Sequence, residues 1–344
     1  MNKIAIYAVD IFHGDAVGNF CFSMKETLEG IGSHVEVFST NFDSNDIKKY
    51  DHLVKNINKF DLIIFHYSIY DSNLNFFIKN MEKVYIYFHN VTPPELVSNY
   101  SPELAEICSK SYKQIKKLIK FKFFITNSIK SKAFLVNEYG FDAKKINILP
   151  PISETQLSKI KFHDKNKKFD KLKLNFLIVG RIVPHKNIEE GINIFNKFNI
   201  KYPFSNLKIV GSYDESSQYF KDLIIMVNSL NLGDKIKFCG FLPDIELNDI
   251  YNNSNILIHP SMHEGFGLPI LEAFKAKVLV FCRRYIISKD LIENDEQTYT
   301  DIDSAQIFLL NLNENKFNKI ILEKNKSFKF IKKNIQSEIY RKYF

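Results

Sequence analysis

The sequence predicts an α/β protein made of two Rossmann-like domains, each a parallel sheet covered by helices. Three observations carry that expectation. Short runs rich in Ile, Val and aromatics alternate with longer segments patterned at helical spacing, as in successive βαβ units. The chain has 344 residues, more than one hydrophobic core usually supports. A polar, lysine-rich stretch near the middle divides the runs into two series.

The first series comprises Lys3 to Val9, His34 to Phe38, Asp61 to His66, Val84 to His89, Lys122 to Thr126 and Ile146 to Leu149. The second comprises Leu174 to Val179, Leu207 to Val210, Lys235 to Cys239, Ile256 to His259 and Val278 to Phe281. Pro150-Pro151 and the segment from Ser153 to Lys171 separate them, poor in periodic apolar positions as an interdomain linker is. The expected organisation is a first domain over 1–155, a linker over 156–171, a second domain over 172–325 and a final helix over 326–344. In that helix Phe328, Ile331, Ile335 and Ile339 fall at helical spacing.

Composition narrows the class. With 45% hydrophobic and 25% charged residues, 12 Gly and 10 Pro, the chain is neither collagenous nor disordered. A formal charge of +8 suits an anionic partner without choosing among nucleic acid, membrane surface and phosphorylated small molecule. The four cysteines lack a CxxC pair, and Cys239 and Cys282 lie in apolar runs, so buried reduced thiols are expected. No apolar window is long enough to span a bilayer and no cleavable leader is visible, which reads as a cytoplasmic protein.

Open parallel sheets bind ligands beyond the carboxyl ends of their strands, and the polar outliers of the sequence fall there. They include His13-Gly14, His66, His89-Asn90, Gly180-Arg181 and the segment from His259 to Gly267. The most specific segment is His263-Glu264-Gly265-Phe266-Gly267-Leu268-Pro269-Ile270-Leu271-Glu272-Ala273. Glycines followed by Pro at a helix start leave backbone N–H groups facing outward, an anion site suited to a diphosphate. Glu272, expected in the first helical turn, can accept from ribose hydroxyls, while Glu264 sits in the preceding loop. The second segment, Gly180-Arg181-Ile182-Val183-Pro184-His185-Lys186-Asn187, follows a strand and supplies a guanidinium and an ammonium for phosphate oxygens.

These two segments resemble those of retaining glycosyltransferases of family 4, which have the GT-B architecture of two facing Rossmann-like domains around a cleft. The resemblance implies that Gly180, Arg181 and Lys186 bind the donor diphosphate, that Glu264 holds the sugar and Glu272 the ribose. It further implies backbone contacts from Gly265, Phe266, Gly267 and Leu268. The turn Gly240-Phe241-Leu242-Pro243-Asp244 is similar to the family's nucleobase-contacting turn, which makes Phe241 and Leu242 donor-binding residues. In the first half, His89-Asn90-Val91-Thr92-Pro93 resembles the His-Asn-x-Thr-Pro loop of a subgroup common in bacterial polysaccharide synthesis, often with mannose-type donors. His89 would then face the transferred sugar. The loop from Phe12 to Asn19 lies where the family places the diphosphate and acceptor, and Gly14 is its expected point of close backbone approach.

The function the resemblance implies is transfer of a hexose, with mannose from GDP-mannose the first choice, to a saccharide or lipid-linked saccharide with retention of configuration. His89, Arg181, Lys186 and Glu264 are the expected catalytic groups, with no metal and no other cofactor. From Lys110 to Lys132 eight lysines and no acid interleave with Leu118, Ile119, Phe121, Phe123 and Phe124, a basic surface that would suit peripheral contact with the inner membrane face. No nucleic-acid-binding motif is present. Alternatives of other kinds are a sugar-nucleotide epimerase on the same fold, and a catalytically impaired protein that binds nucleotide sugar or nucleic acid. The stretch Ala276-Lys277-Val278-Leu279-Val280 departs from the family, which usually has glycine where Lys277 stands. The helix-to-strand connection there must be built differently or carry strain. Arg283-Arg284-Tyr285 departs as well.

Overall fold

The computed structural model describes residues 2–12, 15–152, 169–284, 291 and 297–322. The chain divides into two compact units, one over Met1–Gln156 and one over Leu157–Lys333. The expected final helix and most of the expected linker lie outside the described residues.

In the first unit the elements run β1 (Lys3–Ile11), α1 (Ala16–Gly30), β2 (His34–Phe42), β3 (Lys48–Lys49), α2 (Tyr50–Asn56), β4 (Leu62–Tyr67) and α3 (Leu74–Lys79). They continue through β5 (Val84–Phe88), α4 (Pro102–Leu118), β6 (Phe123–Thr126), α5 (Ile129–Tyr139) and β7 (Ile146–Ile148). The sheet is parallel with order β3-β2-β1-β4-β5-β6-β7. Strands buried on both faces need apolar residues at every position, which is why these runs do not alternate. In β1, Ile4, Ile6 and Ala8 pack into one core layer with Phe20, Met24 and Leu28 of α1. Ala5 and Tyr7 pack into the opposite layer with Phe65, Phe77 and Ile115.

The second unit runs β8 (Asn175–Val179), α6 (Ile188–Lys201), β9 (Asn206–Val210), α7 (Gln218–Ser229), β10 (Ile236–Phe238) and α8 (Asp244–Asn252). It continues through β11 (Ile256–His259), α9 (Leu268–Lys275), β12 (Leu279–Arg283), β13 (Thr298–Tyr299) and α10 (Ile302–Leu310). Its parallel sheet has order β10-β9-β8-β11-β12-β13, with Phe176, Ile178, Ile258 and Phe281 in a large core on one face and Leu177, Leu257 and Val280 buried on the other. In both units the chain works outward from one strand and then crosses to that strand's other side. The topological switch points are therefore β1/β4 and β8/β11, where the crevice of such a sheet opens at the carboxyl ends. Two strands were not expected from the sequence, β3 and β13. Each is two residues long, too short for an apolar run to mark it.

The departure at Lys277 is resolved as strain. Lys277 has φ +51, and the N–H groups of Lys277 and Val278 donate to Phe274 O and Ala273 O at 3.2 and 2.8 Å. That is the Schellman ending of a helix, normally built on glycine, here with a lysine in the left-handed position. Arg283 is held by an ion pair to Glu190 in the first turn of α6, and Arg284 donates to Thr298 Oγ1 at 3.2 Å. Tyr285 lies outside the described residues. Cys21, Cys108 and Cys282 are buried free thiols, whereas Cys239, just past β10, is only partly buried.

Candidate functional site

At the β8/β11 switch point the second unit gathers most of the residues singled out from its sequence. Gly180 follows β8 with φ +149, and a Cβ placed there would lie 3.7 Å from Lys186 Cε. The loop then makes a short turn over Pro184–Lys186 and enters α6 through Asn187, left-handed at φ +52. This turn directs Lys186 Nζ to within 2.6 Å of Glu264 Oε1, joining two segments 78 residues apart. His259, at the end of β11 and 2% exposed, places Nε2 3.0 Å from the same oxygen, close enough for electrostatic support but not aligned as a hydrogen bond. Burial would raise the Glu264 carboxyl, but Lys186 and His259 outweigh it and hold it well below the usual carboxylate range. Glu264 is thus a buried, ionised group with one ammonium partner.

His185 sits in the same loop, driven down to about 3 by burial and by the Lys186 charge, and its buried Nδ1 has no hydrogen-bond partner among the described residues. Arg181 is exposed, and among the described residues its guanidinium has no acidic partner.

Two glycines absent from the sequence reading hold these loops together. Gly211, after β9, has φ +152, and a Cβ there would lie 1.9 Å from the Gly180 carbonyl oxygen. Its N–H donates to Gly240 O at 2.9 Å, linking the loops after β8, β9 and β10 in one layer. Gly191 lets α6 approach the sheet, since a Cβ there would meet Ile178 Cδ1 at 2.5 Å. A glycine directly after a strand was the available signal for Gly211, whereas nothing local marked Gly191.

The segment after β11 turns through Gly265 and the buried Phe266 to Gly267, which caps α9 from the left-handed region at φ +96. Leu268 opens the helix and Pro269 is its second residue, one later than expected. Glu272 consequently lies in the second turn, not the first. The first turn carries no acid; Pro269 has no N–H and the Ile270 N–H donates to Gly267 O at 3.0 Å, so what the helix start offers an anion is mainly the positive end of its dipole. Tyr251, 1% exposed, donates to Glu272 Oε2 at 2.7 Å. Burial raises the Glu272 carboxyl, with Asp244 adding to it against the Tyr251 bond. Asp244 opens α8 directly after Leu242-Pro243, so the turn carrying the 62% exposed Phe241 and partly buried Leu242 approaches Glu272.

In the first unit, His89 follows β5 with its Nε2 2.8 Å from Nδ1 of His66, the penultimate residue of β4. The loop is fixed by Asn90, left-handed at φ +78, and by Asn127, whose Nδ2 donates to His89 O at 3.0 Å. Burial pushes His89 down to about 3, so its ring is neutral at pH 7. Gly14, the expected contact of the first loop, lies outside the described residues. The close approach that is described there belongs to Gly18, whose Cβ would fall 2.9 Å from Phe12 O. Among the described residues no group of His, Cys, Asp and Glu is arranged to hold a metal ion, and no helix is long and apolar enough to cross a membrane.

Fold and geometry together define a GT-B protein whose second unit presents an exposed guanidinium, a buried Lys–Glu pair and a helix N-terminus at one switch point. The chain belongs to the Glycosyl transferases group 1 family, which matches residues 159–333. It is 30% identical over 173 residues to the O-antigen chain mannosyltransferase RfbU of Salmonella typhimurium, covering 50% of this chain and 45% of that one. The matched segments span less than half the length of the curated relatives. Among solved structures it is similar to sucrose-phosphate synthase from Thermosynechococcus elongatus, with TM-score 0.70, 17% identity and coverage of 96% of this chain and 94% of that one. It is also similar to HepE from Anabaena in complex with UDP and glucose, with TM-score 0.67, 14% identity and coverage of 98% and 96%.

Proposed function

We propose that this protein transfers a hexose, with mannose from GDP-mannose as first choice, to a saccharide or lipid-linked saccharide, retaining the anomeric configuration. The observation that carries the reading is the Lys186–Glu264 pair beside Gly180-Arg181 at the β8/β11 switch point. A diphosphate suits this place because Arg181 offers bidentate donors and the N-terminus of α9 offers the positive end of its dipole. As the sugar–phosphate bond breaks, negative charge grows on the departing diphosphate. Fixed donors already aimed at that position stabilise it without reorganising. Glu264 holds Lys186 in place and, on this reading, turns its remaining oxygen toward sugar hydroxyls. Glu272 takes the ribose with the oxygen that Tyr251 leaves, and the exposed Phe241 ring offers a face to the base. His89 contributes a neutral imidazole to the transferred sugar.

The mannose assignment is supported by the similarity to an O-antigen mannosyltransferase and by the loop around His89. A polysaccharide acceptor would be reached on the cytoplasmic side. Contact with the membrane there is supported by the solvent face of α4 and the segment after it. Lys113, Lys116, Lys117 and Lys120 are exposed, as are Leu104, Ile107 and Ile119.

The reading is tested by the thermal stability of the protein with GDP, UDP, ADP and their sugars, since a ligand that binds only the native state raises it. A shift with one base, lost in Arg181→Ala and Glu272→Ala, supports the donor site and names its nucleotide. Absence of any shift refutes it.

A further inference from the structure

His66 plays no part in the function described so far, yet it is the closest polar neighbour of His89 and is fully buried. It lies in β4 opposite Ala8 of β1 and Tyr87 of β5, at the switch point of the first sheet. Its ring stacks on Tyr87 at 5.1 Å with 15° between planes, and Phe20 closes over it at 5.6 Å. The Tyr87 hydroxyl is itself tied to Leu149 O, so the stacking surface is fixed. The ring therefore cannot swing away from His89, whose Nε2 is 2.8 Å from His66 Nδ1.

One proton lies between those two nitrogens, and the rest of His66 decides which ring owns it. Among the described residues, His66 Nε2 is buried and has no hydrogen-bond partner. If His89 donated, neutral His66 would have to carry its own proton on Nε2, leaving a buried N–H with no acceptor. If His66 donates, Nε2 is only an unfilled lone pair. Orphaned buried N–H donors are the rarer and costlier of the two. The bond therefore runs from His66 Nδ1–H to His89 Nε2, and neutral His89 keeps its proton on Nδ1, which has no partner among the described residues.

We propose that His66 is a positioning residue that locks His89 as the Nδ1–H tautomer, so that His89 meets its ligand as a neutral hydrogen-bond donor and not as a base. A base would need a free ring lone pair, and the His89 lone pair is occupied by His66. Burial acts in the same direction, lowering both imidazoles from their ordinary value. That His89 meets the donor sugar rests on the proposed function; that its tautomer is set by His66 does not.

The tautomer is read directly from ring nitrogen shifts in the full chain labelled with 15N-histidine at pH 7, with His89 assigned by His89→Gln. The expected spectrum has a protonated Nδ1 and a bare Nε2 on His89. His66→Phe, which keeps the stack on Tyr87 but has no donor, should move the His89 Nε2 resonance from that of a hydrogen-bonded lone pair to that of a free one, and His66→Asn, whose Nδ2 stands where Nδ1 was, should restore it. A protonated Nε2 on wild-type His89, or an Nε2 shift unchanged in His66→Phe, overturns the proposal. Turnover of the nucleotide sugar that most stabilises the protein gives the functional reading. His66→Phe should lower kcat about 10–100-fold, the usual cost of losing an orienting partner, with KM for the nucleotide sugar within about twofold. His66→Asn should recover most of it, and in a His89→Ala background His66→Phe should cost nothing further. Full activity in His89→Ala would remove the role of His89 while leaving the spectra to judge His66. Loss in His89→Ala with full activity in His66→Phe would overturn the functional part of the proposal for His66.

Discussion

Replacing Lys186 by Met removes the ammonium that neutralises a buried carboxylate while keeping the length of the side chain. Glu264 is 9% exposed and Lys186 19%, so solvent screens the pair only partly. Removing one member of a buried ion pair costs about 3–5 kcal/mol, and the partial exposure of Lys186 places this case at about 3. For a unit of this size each kcal/mol moves the melting temperature by about 2–4 °C, so the variant should melt roughly 6–12 °C lower at pH 7. The sign of the pH dependence follows from Glu264. In the wild type its folded carboxyl titrates below the unfolded value, so its contribution is present above that value and is lost as pH falls through the folded one. Without the ammonium, burial is the largest influence and lifts the carboxyl. The gap between wild type and variant should therefore widen from pH 4 to pH 7. Adding Glu264→Gln should close most of it, because no charge is then left buried. Calorimetric melting from pH 4 to 8 measures all three proteins. A gap of under about 1 °C, or one independent of pH, would refute the pairing as the source of the site's order.

Lys277→Gly should raise stability by about 1 kcal/mol, seen as a 2–4 °C higher melting temperature, because the left-handed position costs lysine more than glycine gains in the unfolded chain. Gly211→Ala should destabilise the second unit by at least about 2 kcal/mol in denaturant melts and weaken nucleotide binding with it, since the new Cβ collides with the Gly180 carbonyl and not with a movable side chain. Changing Lys113, Lys116, Lys117 and Lys120 together to Gln should reduce cosedimentation with anionic lipid vesicles by about 4 kcal/mol in partition free energy, at about 1 kcal/mol per lysine, and leave nucleotide binding unchanged.

The sequence carried the architecture because burial on both faces of a parallel sheet writes itself as continuous apolar runs. All eleven runs became strands, and only β3 and β13, two residues each, had no run to announce them. The site was legible at the level of loops, since glycine, proline and charge cluster where strands end. Contacts across long separations were not legible. Nothing in the chain's periodicity says that Lys186 meets Glu264, that Tyr251 meets Glu272 or that Glu190 anchors Arg283, because these pairings arise from sheet order. Glu272 was placed a turn too early because the left-handed cap at Gly267 starts α9 at Leu268. His66 was visible as a polar residue at a strand end, but its partner comes from the next strand, and pairing depends on register.

Sugar transfer is read out by following nucleoside diphosphate release and the sugar product by NMR, with GDP-mannose, UDP-glucose and related donors and a saccharide acceptor. A retaining transferase should show release with one donor, a product of the donor's own anomeric configuration, and loss of about 10–100-fold in donor affinity in Arg181→Ala, the value of its charge-assisted bonds. Release unaffected by Arg181→Ala, an inverted product, or no release from any nucleotide sugar would contradict the proposed function.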